Sequence, residues 1–392
     1  MNKEKTAIVF TGDIGFDRYM DHKWEDEQLL SQPILDFFDS ADHTVANVEG
    51  AVMDIVNDGS RGAYFHTMVP KITTVLNKMH ADIWNIGNNH IMDAGKDGII
   101  STKAIAAQNG AFTIGAGLNL TEASEPVYLD EAGGIGMFCT TYISEESLRK
   151  NEIIATETLP GIFRWDAYEH IAQRISEVKA KCRWCVVVCH GGEEFACMPS
   201  PYTRERYMKY LELGADVVVA HHPHVPENYE LFDDGKAIFY SLGNFIFDTD
   251  YQRAHQYTDN GVLLKLIFTE EKMSFEAMGV KLIRGEQRIV EAPLPYIFDN
   301  ITAEDYENLV PLAVKSFIAE EKRRMVFLNP EIYTNATLEV WNEYFLHTEP
   351  EGYFAKEHMD FSCLVPLAER ADEGACKERH LKRIKEYIIS LL

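Results

Sequence analysis

Short apolar runs recur along this chain, and each stops abruptly at a polar residue. Residues 6–13 (TAIVFTGD) end at Gly-Asp, and residues 43–50 (HTVANVEG) end at Glu49 and Gly50. Residues 81–90 (ADIWNIGNNH) end in Asn-Asn-His, residues 182–192 (CRWCVVVCHGG) at His190 and two glycines, and residues 215–225 (ADVVVAHHPHV) at three histidines. Residues 111–117, 134–142 and 236–248 have the same character. Runs of this kind, bounded by Gly, Asn and Asp, predict buried strands. Between them, apolar residues recur at turn spacing over 34–40, 69–79, 98–109, 165–181 and 203–213, which predicts helices. Strands alternating with helices predict a layered α/β fold. Chemically able side chains then gather beyond the carboxyl ends of the strands.

Further along, residues 262–290 predict two strands joined by an acidic turn, a hairpin at a sheet edge. After Thr302 the pattern becomes helical, over 303–325, 337–345 and 377–392. A boundary near residue 300 is expected, with residues 1–300 as one domain and 301–392 as a helical C-terminal extension. The last segment, KERHLKRIKEYIISLL, is basic on one face and apolar on the other. It reads as a packed terminal helix, with docking to a membrane or partner as the alternative. The aromatic residues Trp341, Tyr344, Phe345, Tyr353, Phe354 and Phe361 read as a helical core or as a homo-oligomer contact through the C-terminal helices.

Composition narrows the function classes. The 392 residues include 37 Lys and Arg against 62 Asp and Glu, a net charge of −25. That balance argues against a nucleic-acid partner, which needs a basic face to neutralise phosphates. No run approaches the ~20 apolar residues of a membrane span, so no integral membrane segment is expected. MNKEKTAIVF is too short in apolar residues for a secretory signal, and a cytoplasmic location is expected. Seven cysteines, an odd number, fit free thiols in a reducing compartment. Cys182-x-x-Cys185 lacks the second pair that a zinc site needs. Fourteen histidines beside clustered carboxylates keep divalent metal in play.

Five clusters at the ends of expected strands carry the candidate chemistry. They are Gly12-Asp13, Asn47-Val48-Glu49-Gly50, Asn88-Asn89-His90, His190-Gly191-Gly192-Glu193-Glu194 and His221-His222-Pro223-His224. Taken singly, Gly-Asp reads as a turn, Asn47 as a turn former, Asn-Asn-His as a helix cap and His190 as a buried histidine. Three histidines within four residues after an apolar strand are harder to explain as packing. Carboxylate, amide and imidazole without cysteine suit Mn²⁺, Zn²⁺ or Fe²⁺ at an open site. His66, in YFHTMVP, is either a substrate contact at the same rim or a loop histidine. Asp17-Arg18 reads as a surface ion pair, or as a pair that shapes the site.

The motifs TGDIGFDR, ANVEGAV, IGNNHIMDAG, CHGGEEF, AHHPHV and YSLGNFIFD together resemble those of the bacterial capsule-synthesis family CapA, the poly-γ-glutamate capsule domain. The resemblance covers about residues 6–250. It implies a fold similar to the calcineurin-like metallophosphoesterases: a four-layer α/β/β/α sandwich around two divalent ions. It implies metal ligands at Asp13, Glu49 (bridging), Asn89, His190, His222 and His224, with His90 assisting catalysis. Asp93, three residues on, orients His90 or stabilises the turn. Asn244, with Ser241, sits in a family motif at the rim, as a substrate contact or as part of a structural turn.

Three departures stand out. The phosphoesterases carry a histidine two residues beyond the first aspartate, where this chain has Gly15. The bridging acid is Glu instead of Asp. The usual His-Trp-Gly and Gly-His-His appear as His190-Gly191-Gly192 and Ala220-His221-His222. The resemblance implies a metal-dependent hydrolase of phosphoesters, taking a small-molecule or anionic polymer substrate. The alternatives are an accessory of poly-γ-glutamate synthesis or processing, and a metal-stabilised binding module without turnover.

Overall fold

The computed structural model describes residues 4–54, 65–143 and 153–347. The expected helix at 377–392 and the aromatic residues Tyr353, Phe354 and Phe361 lie outside the described residues.

The alternation of side chains along the central strands decides how the sheets meet. In the first strand, Lys5–Ile14, Ile8 and Phe10 enter one apolar cluster while Val9 enters another. In Trp184–His190, Trp184, Val186 and Val188 join Ile8 and Phe10, whereas Cys185, Val187 and Cys189 enter a third cluster. Successive side chains leave opposite faces of a strand. Ile8 and Val186 therefore mark the faces by which two sheets share one core.

Among the described residues, the larger sheet has eight strands. From edge to edge it runs Arg288–Ala292, Met273–Ile283, Asn260–Thr269, Lys5–Ile14, His43–Val48, Ile83–Asn85 and Phe112–Ile114, with Asn244–Ile246 also paired to the first strand. Lys5–Ile14 is parallel to His43–Val48 and antiparallel to Asn260–Thr269. The second sheet has six strands, in the order Tyr229–Leu231, Ala237–Phe239, Val217–His221, Trp184–His190, Ile135–Thr141 and Val127–Leu129, the central four being parallel.

Helices cover the remaining faces. Ile34 and Phe38 of Gln32–Asp39, Val75 and Leu76 of Thr73–Lys78, and Ile99 of Lys96–Gln108 pack with Val9. Ile171, Ile175 and Val178 of Tyr168–Lys179, with Tyr207 and Tyr210 of Pro201–Glu212, pack with Val187. The chain is thus a mixed α/β fold. The expected hairpin forms from Asn260–Thr269 and Met273–Ile283. A third strand, Arg288–Ala292, extends it. That strand was illegible because RIVEA buries only Ile289.

Beyond residue 300, helix Ala303–Leu328 opens with a capping box between Thr302 and Asp305. Its Tyr306, Leu309, Leu312 and Phe317 pack on Ala196, Cys197 and Met198. Among the described residues, no helix is long and apolar enough to cross a membrane.

Register then sets the site. Asp13 stands opposite both Asn47 and Asn244, and Asn47 opposite Asn85. In the other sheet, His190 stands opposite His221 and Thr141. Both polar rows lie at the carboxyl ends of the parallel strands.

Candidate metal centre

Gly12 lets the first strand reach this rim. A Cβ there would sit 2.2 Å from the carbonyl oxygen of Gly243. Asp13 follows, fully buried, with Oδ1 accepting a 2.6 Å bond from Asn47 Nδ2. Asn85 Nδ2 in turn donates to Asn47 Oδ1 at 2.6 Å. Glu49 follows strand His43–Val48 and is also fully buried. Asn88 braces the two adjoining loops: it donates to Val48 O at 2.8 Å and accepts from Gly50 N and His90 N at 3.2 and 3.1 Å.

Imidazoles from three separate segments of the chain converge on one oxygen. His224, His190 and His90 hold Nε2 at 3.7, 3.9 and 4.0 Å from Glu49 Oε1, too far for hydrogen bonds. Asp13, Glu49 and His224 each offer a ligand atom, all within 4.8 Å of one another. His224 Nδ1 lies 3.2 Å from Asp13 Oδ2 and 3.0 Å from Asn244 Oδ1. His190 Nε2 lies 2.9 Å from Asn89 Oδ1. The His222 ring is 5.0 Å from that of His190 and 6.1 Å from that of His224. His222 and His224 hold φ at +99° and +60°, a left-handed backbone that costs a residue with a side chain about 1–3 kcal/mol.

The donors present fit a divalent cation. Among the described residues, Glu49 Oε1 and Oε2, Asp13 Oδ2, His190 Nδ1, His222 Nδ1 and both ring nitrogens of His221 are buried without a hydrogen-bond partner. Each such group costs about 1–3 kcal/mol when nothing compensates it. Donors bound to one ion at about 2.0–2.2 Å lie ~3–4 Å apart. The separation of 3.7 Å between Glu49 Oε1 and His224 Nε2 falls in that range.

Electrostatics in the metal-free chain follow from burial. Burial raises the Glu49 carboxyl to about 8, against the pull of His224. Burial alone would lower His224, but Glu49 and Asp13 outweigh it and draw the imidazole up to about 10. His221 and His222 fall to about 4, and His190 lies well below the ordinary histidine value, all chiefly through burial.

A second pair of histidines flanks the first group. His90 Nδ1 bonds Asp93 Oδ2 at 2.9 Å, and the same Asp93 oxygen accepts His66 N at 2.8 Å. The His66 and His90 rings meet edge to face at 4.2 Å. His66 Nδ1 bonds Asp17 Oδ2 at 2.7 Å. This corrects the expected Asp17-Arg18 surface pair: Asp17 is buried against His66, while Arg18 is exposed. The two rings are driven apart. Burial, then the charge of His66, lowers His90, whereas His66 is raised because Asp17 overcomes its burial.

All six expected metal ligands thus lie in this group of strand ends and loops, with His66, His90 and Asp93 beside them. Asn244 sits behind His224: Nδ2 donates to Gln252 Oε1 and Thr258 O, both at 2.9 Å, and the oxygen faces His224. Its amide is thus engaged on both sides. Asn85 lay outside the expected clusters, and Asn47, Asn88 and His221, though inside them, were given no role as ligands. The available signal was an amide or imidazole inside an otherwise apolar strand or at its end.

Gly15 has a physical reason. Its Cβ would fall 2.4 Å from the Phe247 ring. That ring lies 5.2 Å from the His224 ring and 5.4 Å from the His66 ring, occupying the space beside the strand.

Comparison with known proteins agrees with this pattern of motifs. Residues 7–249 match the family described as bacterial capsule synthesis protein PGA_cap. The PGA biosynthesis protein CapA of Bacillus subtilis is 30% identical over 250 residues, covering 63% of this chain and 64% of that protein. The capsule biosynthesis protein CapA of Bacillus anthracis is 26% identical over 263 residues, covering 64% and 62%. A probable polyglutamine synthesis accessory protein of Mycobacterium tuberculosis is 22% identical over 223 residues, covering 55% and 58%. The matches therefore span less than two thirds of these relatives. A solved structure, TT1561 of Thermus thermophilus, aligns at 8% identity with a TM-score of 0.36, covering 69% of this chain and 98% of that one; a likeness this low carries no argument. With more than half its residues matched, this chain belongs to the PGA_cap family of bacterial capsule synthesis proteins.

Proposed function

We propose that this chain is a divalent-metal-dependent hydrolase, acting most naturally on phosphoesters, built on the four-layer α/β/β/α sandwich of the calcineurin-like metallophosphoesterases. The observation that carries the reading is Glu49: a fully buried carboxylate, neither oxygen hydrogen-bonded, faced by three imidazoles at 3.7–4.0 Å. Asp13, Glu49, Asn89, His190, His222 and His224 would hold two ions of Mn, Zn or Fe. Bound there, such ions would acidify water and neutralise charge developing on substrate oxygens.

The chain's own residues supply the rest. Asp93 accepts from His90 Nδ1, which leaves the His90 Nε2 lone pair toward the Glu49 side. Neutral His90 would take a proton at Nε2 from the attacking water and return it to the leaving-group oxygen as the ester bond breaks, with Asp93 holding the intervening imidazolium. His66, paired with Asp17, which raises its pKa against burial, would attract an anionic portion of the substrate. Asn47 and Asn85 fix Asp13, and burial keeps bulk water from competing for these groups.

Family membership favours a second reading, an accessory role in poly-γ-glutamate synthesis or processing. The hydrolysed bond would then be a γ-glutamyl amide in an anionic polymer. Metal analysis of the purified chain, paired with assays on phosphomonoesters, phosphodiesters and γ-glutamyl peptides, separates the readings. About two ions per chain and turnover lost in His90→Ala with metal retained support the hydrolase. Metal without turnover of any class leaves only a metal-stabilised binding module.

A further inference from the structure

Helix Ala303–Leu328 lies beyond the family-matched residues, yet it reaches the metal centre through a continuous set of contacts. We propose that Glu320 and His255 are positioning residues for this centre, acting through Phe195 on His224. The proposal rests on the metal-site reading above.

Glu320 Oε2 lies 2.8 Å from His255 Nδ1, with both residues 3% exposed. The carboxylate makes Nδ1 the donor and fixes the imidazole plane. That plane stacks on the Phe195 ring at 3.6 Å and 8°. The Phe195 ring stacks in turn on His224 at 5.8 Å and 28°. Phe247 meets the His224 ring at 5.2 Å, so two aromatic rings restrict its rotation.

Phe195 is itself pinned. Its N–H donates to Pro223 O at 2.8 Å, inside the turn that presents His222 and His224. Its φ of +61° is a left-handed conformation that a non-glycine residue adopts at a cost. Tyr251 closes the side, edge-on to Phe195 and His255 at 5.3 and 5.2 Å, and its hydroxyl donates to Glu194 Oε2 at 2.8 Å. The neighbouring residues Ala196, Cys197 and Met198 pack directly on the helix. The helix therefore holds the backbone on one side of Phe195, and Glu320 holds its ring through His255. A ligand needs both its nitrogen direction and its ring plane fixed. Asn244 supplies the first and this stack the second.

The test is a titration of the metal-free full chain with Co²⁺, followed by visible absorption, with melting temperatures measured alongside. Glu320→Gln and Phe195→Leu are expected to weaken Co²⁺ binding about three- to tenfold and to alter the absorption bands. This is less than the ten- to hundredfold typical for groups bonded directly to a ligand. Glu321→Gln is the control, because Glu321 pairs with Arg324 on the same helix. It is expected to bind Co²⁺ like the unaltered chain. If Glu320→Gln melts early, Phe195→Leu decides, since it leaves the helix's ion pairs intact. Normal binding and spectra in Phe195→Leu, or equal weakening by Glu321→Gln, overturn the proposal. Failure of the unaltered chain to bind Co²⁺ at all refutes the metal-site reading itself.

Discussion

His224 and Asn244 fix one another's hydrogen-bonding roles. Asn244 directs Nδ2 to Gln252 Oε1 and Thr258 O, so its oxygen is the acceptor for His224 Nδ1 at 3.0 Å. In neutral His224 the Nε2 lone pair then faces Glu49, as a metal ligand requires. Asn244→Ala is expected to weaken Mn²⁺ binding about ten- to hundredfold, measured by calorimetry. Unchanged affinity would refute this role for the amide.

Glu49→Gln separates stability from function. Burying Glu49 in the metal-free chain holds its carboxyl protonated up to about pH 8, which costs stability at neutral pH, and the neutral amide avoids that cost. The variant should melt about 1–3 °C higher without metal, a gain of roughly 1 kcal/mol. It should also lose the metal-induced rise, which in the unaltered chain reaches about 2.7 kcal/mol at a hundredfold excess over Kd. Thermal melts with metal and with chelator provide both comparisons. A metal-induced rise that persists in Glu49→Gln would remove Glu49 from the centre.

Gly15 and Phe247 should be coupled. Gly15→Ala drives a methyl group into the ring and is expected to cost about 1–3 kcal/mol. In a Phe247→Ala background that cost should largely vanish. Denaturant unfolding of the two single variants and the double variant measures the coupling. Additive losses would mean that the ring is not what excludes a side chain at position 15.

A pH effect is expected far from the centre. His43 Nδ1 lies 2.6 Å from Asp82 Oδ2, and this hydrogen bond, opposed by burial, raises the imidazole above its ordinary value. The folded pKa therefore exceeds the unfolded one. The stabilisation is fully present below about pH 6.5 and is lost as pH rises through the raised value. With Asp82 partly exposed, the effect should be under about 1 kcal/mol. The melting temperature of His43→Gln should fall below that of the unaltered chain at pH 6 and converge with it at pH 9. A constant difference across that range would refute the linkage.

The helices and central strands were legible because burial imposes periods of two and about 3.6 on apolar residues. Residues 43–50 and 182–192 carried enough apolar length to predict a strand, and each yields one, ending at Val48 and His190. The segment at 81–90 is strand only over Ile83–Asn85, because its polar end turns into the site. Arg288–Ala292 escaped detection because its pairing is mainly backbone hydrogen bonding, which leaves little trace in side-chain type.

The sequence by itself determined the α/β alternation and the residue types waiting at the strand ends, since both follow from local period and composition. Only the tertiary structure decided that Asp17 serves His66, that Asn244 serves His224, and that Phe247 fills the space beside Gly15. Such pairings depend on strand register and on which sheet faces which. Those are set by packing between segments up to hundreds of residues apart, and no short stretch of sequence encodes them.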